Sequence, residues 1–188
     1  MRVEFLGIKG TWNQIKSACR NTIGLSGAGV EPDSEWKRTL FLSEHSPIRK
    51  MQLMWRWVDL PYWVSTHFVR HKFGIEHFIR TQRSDRTGID RNDIGQGAYV
   101  THEAEANAQA LITMSRKRLC NGASPETREA MQLLKDDVAI VMPELARCMV
   151  RDCVYRGWCY EKYTCGFHFK PEYQDELTDY REGINGYH

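Results

Sequence analysis

The chain has 188 residues and a mass of 22.0 kDa, enough to bury roughly 70% of its unfolded surface without a disulfide or metal staple. It is 41% hydrophobic and 27% charged with six Trp, which excludes a disordered or collagen-like chain. A balance of 26 Lys and Arg against 24 Asp and Glu leaves a net charge of +2, so bulk charge argues for neither a nucleic-acid partner nor a membrane surface.

Residues 3–7 (VEFLG) alternate as a strand does. Thr11 is placed to cap a short helix, TWNQIKSACRN, and a Gly-rich loop over 23–33 separates it from a second helix, SEWKRTLFLSE. Residues 50–58 (KMQLMWRWV) read as a strand with Met51, Leu53, Trp55 and Trp57 on one face. Pro61 opens a helix predicted to run through YWVSTHFVRHKF to Gly74. After a polar stretch over 84–97, Glu103–Leu119 is predicted as a helix that Asn121-Gly122 stops. Ser124-Pro125-Glu126 starts another, predicted to reach about Trp158 with a break at Pro143; the polar, aromatic tail yields no assignment. Front strands and later helices give an α+β or mixed α/β class in a single domain over 1–188.

No apolar run approaches the ~18 residues of a membrane span, and the start (MRVEFLGIKG) lacks a signal peptide's apolar core, so a cytoplasmic protein is expected. The cysteines at 19, 120, 148, 153, 159 and 165 form no CxxC pair and are expected as reduced thiols. The basic character is local. The segment Arg70–Arg86, RHKFGIEHFIRTQRSDR, holds five Lys and Arg against two acids, a net of +3 that leaves −1 for the remainder. Such residues grip phosphates by charge-assisted bonds, although a solvated helix end explains the composition equally well. Neither a Walker loop nor GxGxxG occurs. His67 and His71, four apart on the predicted helix, can face one way, and Glu76 or His77 then suggests a metal site, but HExxH is absent.

The run His67-Phe68-Val69-Arg70-His71-Lys72 followed by Thr81-Gln82-Arg83 resembles the signature of flavin-dependent thymidylate synthases, which is Arg-His-Arg, seven residues, then Ser-x-Arg-Tyr. Upstream, Glu44-His45-Ser46-Pro47-Ile48-Arg49 is similar to that family's His-x-(Thr/Ser)-Pro-Phe-Glu-His segment, and Ala18-Cys19-Arg20-Asn21-Thr22 to its Ala-Ala-Arg-x-(Ser/Thr). The ordered set covers roughly residues 1–90, with weaker matches at Val141-Met142-Pro143 and Val154-Tyr155-Arg156. The resemblance implies a mixed sheet with helices, FAD, methylenetetrahydrofolate and NADPH, and a homotetramer with sites between subunits. It implies that Arg70, His71, Lys72, Ser46 and Thr22 hold flavin, with His168 beside it, and that Thr81, Gln82, Arg83 and His67 bind the nucleotide, dUMP. Arg156 inherits the C-terminal catalytic position. No metal, membrane or nucleic acid is implied.

The departures fall mainly on the base-recognising side. Lys72 replaces an Arg, eight residues rather than seven precede Thr81, and Ser84 stands for a Tyr. The acid near the nucleotide is displaced, Glu76 being the nearest, and His67 stands for a Gln. The late Arg that polarises the pyrimidine would fall near Thr164, where there is none. The leading expectation is therefore conversion of dUMP to dTMP, and the alternative within the chemistry is a pyrimidine-nucleotide hydroxymethylase. Rival classes are a nucleic-acid binder stacking bases on Trp55, Trp57, Trp63 and Phe78, and a metalloenzyme built on His67 and His71.

Overall fold

A computed structural model of the chain describes residues 1–182. Strands β1 (Arg2–Lys9), β2 (Gln52–Pro61), β3 (Ile75–Ile79) and β4 (Tyr99–Asn107) form one sheet in the order β1-β2-β4-β3. All three pairings are antiparallel, so the α+β class stands while mixed pairing is absent among the described strands. The helices are α1 (Trp12–Asn21), α2 (Ser34–Leu42), α3 (Tyr62–Phe68), α4 (Ser84–Thr87), α5 (Ala108–Arg118), α6 (Pro125–Val141), α7 (Pro143–Ala146), α8 (Asp152–Arg156) and α9 (Pro171–Arg181).

Local chemistry explains the elements that the sequence foretold. Thr11 accepts from the Gln14 N–H at 3.2 Å while the Gln14 side chain accepts from the Thr11 N–H, a reciprocal cap that starts α1. Asp33 caps α2 and Ser124 caps α6, where Pro125 sits in the first turn and lacks an N–H that would be unsatisfied anyway. Met142 leaves helical backbone before Pro143, the predicted break, and helix resumes in α7 and α8 as far as Arg156.

The sheet packs one face against the helices by matching large residues with small ones. Leu53, Trp55 and Trp57 of β2 are fully buried, and their partners across the ladder are Ala106, Ala104 and His102 of β4. Trp57 stacks on Phe68 of α3 at 4.3 Å and donates its indole N–H to the Ala130 carbonyl of α6 at 2.8 Å. Burial of Trp55 and Trp57 removes them as base-stacking surfaces. The other face carries the Glu4–Arg56–Glu103 ion cluster and the exposed Phe78.

Two predicted boundaries are corrected, and the unassigned tail proves helical. Residues 103–107 continue β4 instead of starting a helix: Ala and Glu favour helix, but alternate burial of His102, Ala104 and Ala106 on the core face prevails. The helix after Pro61 stops at Phe68, and the charged segment beyond Gly74 is the edge strand β3. The tail contributes α9, whose Tyr173, Leu177 and Tyr180 pack with Val150, Cys153, Val154 and Phe167 in a second, smaller cluster. Arg38 of α2, itself buried, clamps that helix by donating to the carbonyls of Asp179 (2.8 Å) and Tyr180 (3.0 Å). Residues 183–188 of the tail lie outside the described residues. Among the described residues no helix is long and apolar enough to cross a membrane.

Replacing Trp57 by Ala is expected to cost about 3–5 kcal/mol of stability in urea denaturation, from lost burial and stacking. Phe78→Ala, on the open face, is expected to stay within about 0.5 kcal/mol of wild type in the same assay.

Candidate functional site

The turn between α3 and β3 is built by side chains from other elements. In a continuing helix the His71 N–H would donate to the His67 carbonyl; instead it donates to Phe68 at 2.9 Å. The freed His67 carbonyl takes the Arg118 Nη2–H at 2.6 Å, so a guanidinium from the end of α5 caps α3. The same guanidinium donates Nε–H to His71 Nε2 at 2.9 Å. Gly74 then reverses the chain at φ 74°, where a Cβ would lie 2.2 Å from Asn107 Nδ2, so both the conformation and the space require glycine. His67 and His71 thus do not share a helix face. His67 Nδ1 lies 2.9 Å from Thr127 Oγ1 instead. Among the described residues no group of three or more His, Cys, Asp or Glu is placed to hold a metal ion.

A hydrogen-bonded chain runs behind the turn. His77 Nε2 lies 3.0 Å from the His71 carbonyl, which only accepts, so that nitrogen carries the proton. His77 Nδ1 then accepts, His102 Nε2 donates to it at 2.9 Å, and Ser65 donates its hydroxyl proton to His102 Nδ1 at 2.9 Å. Burial, reinforced by the His77 charge, pushes His102 down to about 3. Burial first, then the Arg118 and His77 charges, push His71 down to about 4.

The turn opens on a cavity of about 450 Å³, within the size range of small-molecule sites. Arg70, His71 and Lys72 line it from the turn, Arg49 from the 3₁₀ turn Ser46–Lys50, and Asn107, Gln109 and Thr113 from the start of α5. No acid is among its lining residues. Asn107 Oδ1 caps α5 by accepting from the Ala110 N–H at 2.9 Å. Glu44, at φ 48°, ties the Ser46–Lys50 turn to α5 through Arg116 and Gln109. The same turn also contributes Ser46 and Lys50 to a second, open cavity of about 780 Å³, lined from α1 and its end by Ser17, Asn21 and Thr22. The expected flavin-holding residues therefore fall into two groups, Arg70–Lys72 and Thr22 with Ser46, in two cavities that share one 3₁₀ turn.

Of the expected nucleotide residues, His67 lies beside the turn without lining either cavity, and the other three stand apart from both. Thr81, Gln82 and Arg83 follow β3 and are separated from Gly74 by roughly 20 Å of extended chain. Arg83 is exposed and pairs with Asp85 through two hydrogen bonds of 3.0 and 2.8 Å, while Thr81 Oγ1 accepts from the Arg83 N–H. Arg156 is exposed at the end of α8, over the Tyr160 ring at 4.0 Å and 3.6 Å from Asp152. His168 is buried with Trp158 and Phe169 against its ring, and its Nδ1 lies 3.3 Å from Thr164 Oγ1. Neither Arg156 nor His168 lines either cavity.

Sequence reasoning missed Asn107, Gln109 and Arg118. The one available signal was Asn107 before Ala-Gln-Ala, a helix-capping position obscured by starting the helix five residues early.

An antiparallel four-stranded sheet backed by helices, with a cationic cavity at one edge, defines the architecture. No family model and no curated protein matches the chain. Among solved structures it is similar to the UMP/dUMP methylase PolB from Streptomyces cacaoi bound with 5-Br dUMP, at a TM-score of 0.62 and 15% identity, over 78% of this chain and 93% of that one. At that identity the likeness is one of fold.

The neutral imidazoles make stability depend on pH. A folded pKa below the unfolded value of about 6.5 means that the unfolded chain binds the extra proton, so stability is full above pH 6.5 and falls as pH drops toward the folded value. Fully buried His102 alone is expected to remove roughly 2 kcal/mol between pH 7.5 and pH 5, with His71 adding a smaller, solvent-screened amount. Urea denaturation at the two pH values measures it.

Proposed function

We propose that this protein transfers a one-carbon unit to C5 of a pyrimidine mononucleotide with the help of FAD, methylenetetrahydrofolate and NADPH, with dUMP as the leading substrate. The observation that carries the reading is the acid-free cavity, where Arg70, His71, Lys72 and Arg49 meet in a chain that shares its fold with a UMP/dUMP methylase. The ordered resemblance to flavin-dependent thymidylate synthases over residues 1–90 supports the flavin part of it.

The donor set suits FAD. Three permanent cations match its pyrophosphate or the anionic reduced ring, and the side-chain amides of Asn107 and Gln109 offer hydrogen bonds to ring carbonyls. Ser46 and Thr22 in the adjoining cavity extend the holding surface. When bound, FAD supplies the reducing equivalents that turn a transferred one-carbon unit into a methyl group. The chain's own residues bind and orient. Arg83 and Thr81 form a forked clamp for a phosphate, and because the Arg83–Asp85 pair is exposed and weak, a dianionic phosphate displaces Asp85 from it. The distance between residues 81–83 and 70–72 within one chain suits a homotetramer whose sites draw on neighbouring subunits. The buried thiols are unfit as nucleophiles, since burial pushes Cys148 up to about 12 and Cys153 to about 11. Activation of C5 thus rests on positioning and charge.

A yellow purified protein that converts dUMP or UMP to its 5-methyl product with methylenetetrahydrofolate and NADPH is the expected result. Hydroxymethylated product alone favours the hydroxymethylase reading, to which the absence of an arginine near Thr164 points. A colourless protein that binds no FAD and modifies neither nucleotide overturns both. Arg70→Ala is expected to weaken FAD binding at least about tenfold while nucleotide binding persists, and Arg83→Ala the reverse, read by titration calorimetry. Unchanged nucleotide affinity in Arg83→Ala sinks the placement of the phosphate clamp.

A further inference from the structure

His71 has two ring nitrogens, and the structure leaves it little choice between them. Its Nε2 faces the Nε–H of Arg118 at 2.9 Å, and a guanidinium always donates. A proton on that nitrogen would set two donors head to head. The remaining nitrogen, Nδ1, has no hydrogen-bond partner among the described residues, and His71 lines the cationic cavity. Arg118 cannot swing aside cheaply, because its Nη2 is engaged on the His67 carbonyl that ends α3. It is half-buried, and loss of that bond would leave a helix-terminal carbonyl without its cap.

We propose that Arg118 is a positioning residue that fixes His71 as a neutral Nδ1–H donor aimed at the bound ligand, so that the cavity offers one uncharged, directional hydrogen bond between the permanent charges of Arg70 and Lys72. Unrestrained histidine carries its proton mainly on Nε2, so the tautomer in this site is imposed by the fold. The ligand atom opposite Nδ1 must then be an acceptor, a ring carbonyl, a deprotonated ring nitrogen or a phosphate oxygen, whereas a protonated nitrogen is rejected. Arg118 from α5 and His77 of β3 oppose a second proton on His71, and the cavity it lines adds only cations, Arg70, Lys72 and Arg49. The donor therefore keeps its identity at physiological pH. The identity of the ligand rests on the flavin reading above; the state of His71 does not.

The two are tested separately. Long-range proton–nitrogen correlation spectra of protein labelled with ¹⁵N-histidine, with the His71 signals assigned by a His71→Gln variant, report which nitrogen carries the proton. Wild type is expected to show a protonated Nδ1 and a bare Nε2 at pH 7. In Arg118→Met the proton is expected to move to Nε2 and the His71 titration to rise by about one unit or more. Arg118→Leu serves as a second variant with the same expected tautomer change, since it too donates to neither acceptor. A wild-type His71 protonated on Nε2 or on both nitrogens at pH 7 overturns the proposal without reference to any variant, and so does an unchanged tautomer in a folded Arg118 variant. FAD titrated into the same samples is expected to bind the variants about tenfold more weakly, as for the loss of one well-placed hydrogen bond. If the tautomer moves as expected and FAD binds none of the samples, the flavin reading falls and the role of Arg118 stands. If FAD binds all equally and the tautomer is unmoved, the role of Arg118 falls and the flavin reading stands.

Discussion

The guanidinium of Arg118 offers protons in two directions, and the site follows from where they go. One bond ends α3 by taking the His67 carbonyl; the other fixes His71 Nε2. The chain must turn at Val69–Gly74 instead of winding on, and Gly74 at positive φ delivers it into the edge strand β3. Arg70 and Lys72 are consequently presented at a cavity rim instead of along a solvated helix face. A charge run that composition alone explains as a soluble helix end becomes a concave, acid-free surface.

Behind that rim the Ser65–His102–His77 chain ends on the His71 carbonyl, so the turn is held from the core side by hydrogen bonds. A charged imidazole is costly to bury there, which is why His71 and His102 stay uncharged while Arg70 and Lys72 stand exposed at the cavity rim. The tryptophan face of β2 against the small residues of β4 supplies the flat, dense support on which α3 and α5 sit.

Much of this was legible in the sequence where local chemistry decides. The caps at Thr11 and Ser124 and the alternation of Leu53, Trp55 and Trp57 mark α1, α6 and β2 without reference to the rest of the fold. The grouping of Arg70, His71 and Lys72 is visible as a charge cluster, as is the ordered resemblance that joins them to Thr22 and Ser46. What was not legible depends on contacts distant in the chain. His67 and His71 look like a helical pair until Arg118, forty-seven residues after His71, takes the carbonyl that would have continued the helix. Glu103–Asn107 looks helical by propensity until Trp55 and Leu53 demand small residues opposite them. Nothing in the spacing joins Arg49, Asn107 and Gln109 to Arg70, even though Arg49 lies in the upstream resemblance and Asn107 at a capping position, since three separate elements bring them to the same cavity.

The central proposal is that the turn Arg70–Gly74 is the ligand-holding element of a flavin-dependent pyrimidine-nucleotide enzyme. Its most direct test is an experimental structure of the protein with FAD and dUMP. The account predicts the flavin against Arg70, His71 and Lys72, with an acceptor atom opposite His71 Nδ1 and the nucleotide phosphate on Arg83. Flavin bound elsewhere with this turn empty, or no flavin at saturating concentration, would contradict it.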